Sequence, residues 1–152
     1  MNQVIEHFAN PVSVIRKCKN LLSRSGMLYI ATPNISSFAS RIRKKEFDYL
    51  IPPEHLSYFN KITLSKLLRS ENFKILYIGS WSYPVDFVGL IKYLLGKRHK
   101  YNQSTKLICM KSNNYVKTLK YYIFDKFVCM LFYKLLNINY GGTNLEILAQ
   151  KV

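Results

Sequence analysis

Glu6-His7 and Pro53-Glu54-His55 are the two places in this chain where groups able to move a proton sit inside strongly punctuated sequence. An imidazole titrates near neutral pH, so it can take a proton from a hydroxyl or return one. A third histidine, His99, lies in the basic run Lys97-Arg98-His99-Lys100 and reads as solvated. No spacing of His, Cys or carboxylates suggests a metal site. The six glycines include no Gly-x-Gly, the pattern that lets backbone approach a nucleotide at the start of a helix. The three cysteines, Cys18, Cys109 and Cys129, are odd in number and form no Cys-x-x-Cys. That favours free thiols in a reducing cytoplasm.

The elements that must position these groups can be read locally. Asn10 is a strong N-cap and Pro11 fits a first helical turn, where no backbone N–H is needed. Val14, Ile15, Cys18, Leu21 and Leu22 then fall on one helical face. Gly26 suits the left-handed residue that ends such a helix. Met27 to Ala31 is nearly all apolar, as expected of a strand covered on both faces. Thr63-Leu64 and Leu67-Leu68 predict a second helix, and Asn72 is a second-best left-handed stop. Lys74 to Trp81 reads as a strand. Pro84 opens a helix that runs through Leu95 and ends at Gly96. Residues 97–106 read as a basic loop, and Tyr115 to Leu136 as a long helix interrupted by Lys120, Asp125, Lys126 and Lys134. Those charges argue against a membrane span. Two readings of that helix stay open: a lid packed on the domain, or an interfacial helix with aromatic and lysine residues around an apolar body. Gly141-Gly142 turns the chain into a final strand, Leu145 to Ala149.

Glu6-His7, Asn10-Pro11, Gly26 and Pro33-Asn34, followed by Pro53-x-His55-x-x-x-Phe59, Thr63-Leu64-x-x-Leu67-Leu68 and Asn72-Phe73, resemble class I S-adenosylmethionine-dependent methyltransferases of the type 11 and type 23 groups. The resemblance covers about residues 1–82, with Asn72 in place of the family's glycine. It implies an α/β, partial Rossmann-like methyltransferase fold: a three-stranded mixed sheet with a reversed final hairpin, plus a helical insert. The strands would be residues 27–32, 74–81 and 144–150, the last inserted between the other two and antiparallel to both. Residues 1–152 would form a single, truncated domain, with residues 84–140 as a helical insert or lid. The cofactor implied is S-adenosylmethionine. Glu6 and His7 would line its methionine end. His55, in the segment that covers the acceptor, would be the catalytic base or else a structural residue capping or pinning that segment. The family's Gly-rich turn and first four strands would precede Met1, so the chain alone is expected to bind the cofactor poorly. Met27–Thr32 is then expected to present an unpaired edge.

A formal charge of +15 is spread over three clusters: Arg16/Lys17/Lys19/Arg24, Arg41/Arg43/Lys44/Lys45 and Lys97/Arg98/His99/Lys100. They can be solvated faces, contacts to a missing N-terminal half, or seats for an anionic membrane surface. No nucleic-acid signature accompanies them, which makes nucleic acid the weakest of the partners. Three function classes remain. One is a cytoplasmic methyltransferase part acting on a small-molecule, sugar or lipid-linked acceptor. Another is a non-catalytic remnant or partner-dependent subunit. The third is a basic module peripheral to the inner face of the membrane.

Overall fold

In the computed structural model of the protein, residues 1–96 and 138–152 are described. The expected loop at 97–106 and long helix at 115–136, with His99, Cys109 and Cys129, lie outside the described residues.

Met1–Gln3 leads into a single 3-10 turn, Ile5–His7. Helix α1, Pro11–Leu21, starts as its sequence dictates: Asn10 Oδ1 accepts the Ser13 N–H at 3.1 Å. Its far end is closed by an unforeseen group. Lys151 Nζ donates to the carbonyls of Lys19 and Leu22 at 2.8 and 2.7 Å, placing a cation at the negative end of the helix. The left-handed residue after α1 is Ser25 (φ 62°), not Gly26. Gly26 is needed for room instead: a Cβ there would lie 2.9 Å from the Ser23 carbonyl oxygen and 3.1 Å from Leu22 Cβ.

Strand β1 is Met27–Pro33, and helix α2 is Phe38–Arg43, followed by a 3-10 turn at Lys44–Glu46. Helix α3, Lys61–Ser70, opens on a reciprocal cap. Asn60 Oδ1 accepts from Thr63 N at 2.9 Å, while Thr63 Oγ1 accepts from Asn60 N at 3.0 Å. Asn72 is left-handed (φ 57°), as expected, and releases the chain into β2, Phe73–Trp81. Helix α4 is Pro84–Leu94, a 3-10 turn spans Ile138–Tyr140, and β3 is Asn144–Lys151.

The sheet order is β1-β3-β2, with β3 antiparallel to both neighbours. Leu76 is the extra residue where the β2–β3 register shifts. The three strands therefore form an antiparallel sheet and not a mixed one. Parallel pairing enters through the N-terminal segment, where Asn2 bridges Ala31. Gln3 N donates to Ala31 O at 2.8 Å, and Ala31 N donates to Met1 O at 2.9 Å. The outer edge of β1, expected to be open, is thus engaged by Met1–Gln3.

α1 and α3 cover one face of the sheet. Ile15, Leu64 and Leu68 are fully buried with Ile30, Leu145 and Ile147. The other face is only partly covered: Met27 is 60% and Tyr29 42% exposed. The all-apolar run of β1 misled because Tyr29 hides a polar end. Its hydroxyl donates to Glu146 at 2.9 Å.

Candidate functional site

Asn34 shows how the loops are tied to the strand ends. It is buried at the end of β1, and its amide donates to the carbonyls of Tyr140 and Gly142 at 2.8 and 2.9 Å. Its Oδ1 accepts from Ser36 N at 3.1 Å. Pro33-Asn34 therefore pins the turn into β3.

Met1–Gln3 runs parallel to β1, so the turn Ile5–His7 and the segment after Asn34 both emerge beyond the carboxyl ends of parallel neighbours. Ligands of open α/β sheets bind in that position. The two segments are laced together. The Glu6 carbonyl accepts from the backbone N–H groups of Leu56 and Ser57 at 2.8 and 2.9 Å. Ser57 Oγ donates to Phe8 O at 3.2 Å.

This lacing brings Glu6, His7 and His55 together. The His7 and His55 ring centroids are 4.8 Å apart, edge to face. His7 Nδ1 lies 2.8 Å from Glu54 O, and His55 Nδ1 lies 2.7 Å from Tyr49 O. A carbonyl can only accept, so each Nδ1 carries the proton in these bonds. In the neutral ring, Nε2 is then left with its lone pair. Glu6 is 1% exposed; its Oε2 accepts from Thr32 Oγ1 at 3.0 Å, while Oε1 is buried with no partner among the described residues. The hydroxyl of Tyr58, whose ring is 6.4 Å from that of His55, is also buried without a partner. Such orphaned atoms are uncommon in a finished core and mark a place where a ligand can complete the bonding.

One ligand atom from each of Glu6, His7 and His55 lies within 4.8 Å of the others, so the trio can be drawn in around a cation. No local spacing announces this cluster, because residues 6–7 and residue 55 meet only through the fold. The partners that orient the imidazoles were equally invisible, since Glu54 and Tyr49 contribute backbone carbonyls.

A second buried carboxylate, Asp86 at the start of α4, is linked to His55 through Tyr49. It accepts from Thr143 Oγ1 at 2.5 Å, Tyr83 N at 2.9 Å and Tyr49 Oη at 3.3 Å. Burial pushes its carboxyl above the ordinary value, and these donors pull against that shift. Pro84 at the first turn with an acid at the third helical position was a readable capping signal for Asp86. Tyr49 joins the clusters, with its hydroxyl on Asp86 and its carbonyl on His55. Beside them, Arg43 makes a two-pronged ion pair with Asp48. Among the described residues no helix is long and apolar enough to cross a membrane.

Known proteins resemble this chain in sequence and in fold. A family described as "Methyltransferase domain" matches residues 1–78, which include Glu6, His7 and His55. A ubiquinone biosynthesis O-methyltransferase of Glaesserella parasuis is 39% identical over 70 residues, 44% of this chain and 30% of that protein. Two solved structures share the fold. A SAM-dependent methyltransferase of Thermotoga maritima, described as a possible histamine N-methyltransferase, has a TM-score of 0.55 at 13% identity. A SAM-dependent methyltransferase of Archaeoglobus fulgidus has 0.51 at 19%. The matches cover 100% and 99% of this chain but 54% and 57% of those proteins.

Proposed function

The chain belongs to the methyltransferase domain family, and from that premise we propose that its Glu6–His7–His55 cluster serves methyl transfer from S-adenosylmethionine to an oxygen acceptor, with His55 as the base. The observation that carries this reading is the pair of imidazoles held by Nδ1 on backbone carbonyls beside a buried carboxylate with one free oxygen. The O-methyl specificity named for the Glaesserella relative supports an oxygen acceptor.

When bound, the cofactor supplies an electrophilic methyl group on a cationic sulfur. The free Glu6 oxygen and His7 suit the cationic methionine end of such a donor. The nucleoside end finds no Gly-x-Gly in this sequence. His55 Nε2 takes the acceptor's proton as its oxygen becomes the nucleophile. The Tyr49 carbonyl keeps the ring in the tautomer that can do so. A positioned base contributes about 10²–10⁴-fold in rate. The acceptor class remains as broad as a small-molecule, sugar or lipid-linked hydroxyl.

The test is methyl transfer to a panel of hydroxyl acceptors by the protein and by His55→Gln across pH. A drop in kcat of about a hundredfold, with loss of the acidic limb of the pH profile and little change in KM, is expected. An unchanged profile would remove His55 from the role.

A second reading has the same trio grip a divalent cation. A cation bound at about 2.1 Å by each ligand needs ligand atoms about 3–4 Å apart, so the trio would have to close slightly from its present spread. Loss of transfer on chelation, with recovery on adding magnesium, manganese or zinc, would favour this reading over the metal-free base.

A further inference from the structure

Helix α3 carries a groove of about 570 Å³ lined by none of the Glu6, His7 and His55 side chains. That volume falls within the usual range for small-ligand sites. Two neighbouring stripes of α3 line it. Lys61, Ser65 and Arg69 recur every four residues, as do Ile62, Lys66 and Ser70, with Ile78 of β2 as the opposite wall. Eight residues of helix span about 12 Å, so the cations are strung along a slot rather than gathered at a point.

The charge of this slot is not neutralised locally. Between residues 61 and 72 the sequence holds one acid, Glu71. Arg16 of α1 takes both of its oxygens, at 2.8 and 3.0 Å. Lys66 and Arg69 are exposed, and among the described residues neither has an acidic partner. Lys61 Nζ is held 3.7 Å above the Tyr140 ring, which fixes one end of the slot. Ser65, 8% exposed, also lines the groove, and its Oγ is buried with no partner among the described residues. A helical serine usually bonds to solvent or to the preceding turn, so an idle hydroxyl under three cations is a donor awaiting an acceptor.

We propose that this groove is an anion site for a phosphate-bearing ligand, separate from the methyl-transfer cluster. Phosphate is the chemistry that uses a fork-shaped guanidinium, two ammonium groups and a hydroxyl together. The same chemistry can arrive as a lipid headgroup, with Ile62 (75% exposed) against its apolar part, or as a free diphosphate.

The test uses two probes on the full chain. One is pyrophosphate, followed by calorimetry. The other is sedimentation with phosphatidylcholine vesicles, with and without phosphatidylglycerol. Lys66→Glu/Arg69→Glu is compared with Lys17→Glu/Arg24→Glu, a pair of exposed α1-side residues that changes net charge equally. The proposal expects saturable binding to at least one probe, weakened more than tenfold by the α3 pair and less than twofold by the control. Pyrophosphate binding alone identifies a soluble ligand, and vesicle binding alone identifies a headgroup. No saturable binding to either probe, or equal losses in the two double variants, overturns the proposal.

Discussion

Glu6 and Asp86 are both buried carboxylates, and the chain finishes them differently. Asp86, 7% exposed, has donors on both oxygens: a hydroxyl and a backbone N–H on Oδ2, and the Tyr49 hydroxyl shared between the two. Glu6 has Thr32 on one oxygen and, among the described residues, nothing on the other. A buried polar atom without a partner costs about 1–3 kcal/mol, so the sequence tolerates at Glu6 what it avoids at Asp86. Of the four side chains with such atoms among the described residues, Glu6 and Tyr58 border the histidine pair and Ser65 lines the α3 groove. The fourth, Arg43, is otherwise engaged with Asp48. Saturated clusters hold the fold here, and the unsaturated atoms of Glu6, Tyr58 and Ser65 lie at the two sites proposed above.

The largest expected effect breaks the saturated side. Asp86→Ala removes the carboxylate that accepts from the Thr143 hydroxyl, the Tyr83 N–H and the Tyr49 hydroxyl. Some of the loss is offset because a buried charge disappears. A net cost of about 2–4 kcal/mol is expected from denaturant unfolding. A cost under about 1 kcal/mol would mean that the bonding around Asp86 stabilises nothing. Because Tyr49 also holds His55, the same change should lower methyl transfer more than a comparable lesion in the α1–sheet core.

Glu6→Gln should do the reverse. Glutamine keeps an acceptor for Thr32 and removes an incompletely bonded buried carboxylate. Unfolding should shift by less than about 1 kcal/mol, in either direction, while function falls. A loss of several kcal/mol would make Glu6 a structural residue and erase the contrast with Asp86.

Much of this scaffold was legible in the sequence because its signals are local. Asn10-Pro11 and Asn72 act at helix ends within a few residues of themselves, and the structure places each as expected. The position of β3 between β1 and β2 came from family resemblance, since alternation in a strand says nothing of its neighbours. The errors share one cause, which is that tertiary contacts decide. Ser25 takes the left-handed position because Gly26 is needed for clearance. Met1–Gln3 covers an edge that looked open. The site itself was half legible: His7 and His55 could be named, but their meeting and their carbonyl anchors depend on the fold.

A pH experiment sharpens the contrast without breaking either cluster. Burial raises the Asp86 carboxyl above its unfolded value, so the folded state holds its proton more tightly. The resulting stability is present below the unfolded pKa of 3.8 and is lost as pH rises through the folded value. Asp86→Asn lacks this dependence. Wild type should therefore gain on the variant as pH falls from 7 towards 4. A difference in melting temperature that stays flat over that interval would place the Asp86 carboxyl at its ordinary value.

The smallest effect comes from a third carboxylate, saturated without being buried. Glu146 accepts from Tyr29 Oη at 2.9 Å and Tyr77 Oη at 3.1 Å across the partly covered face of the sheet. Gly79 makes room for this bridge, since a Cβ there would fall 2.7 Å from Glu146 Oε1 and on top of the Tyr77 hydroxyl. Burial first, and the Glu146 bond and charge second, push the Tyr29 hydroxyl up from 10.0 to about 12. The sign follows from the raised value. The contribution of Tyr29 to stability is intact below pH 10 and fades as pH climbs towards 12. With 12 tyrosines in the chain, the reading must be a difference in phenolate absorbance between the protein and Tyr29→Phe. Glu146→Gln should lower the Tyr29 midpoint yet leave it above 10.0, because burial is the leading cause and survives the change. A midpoint that falls fully to 10.0 would make the carboxylate the whole cause. A midpoint that does not move would mean that the bridge, though complete in bonds, is too wet to matter.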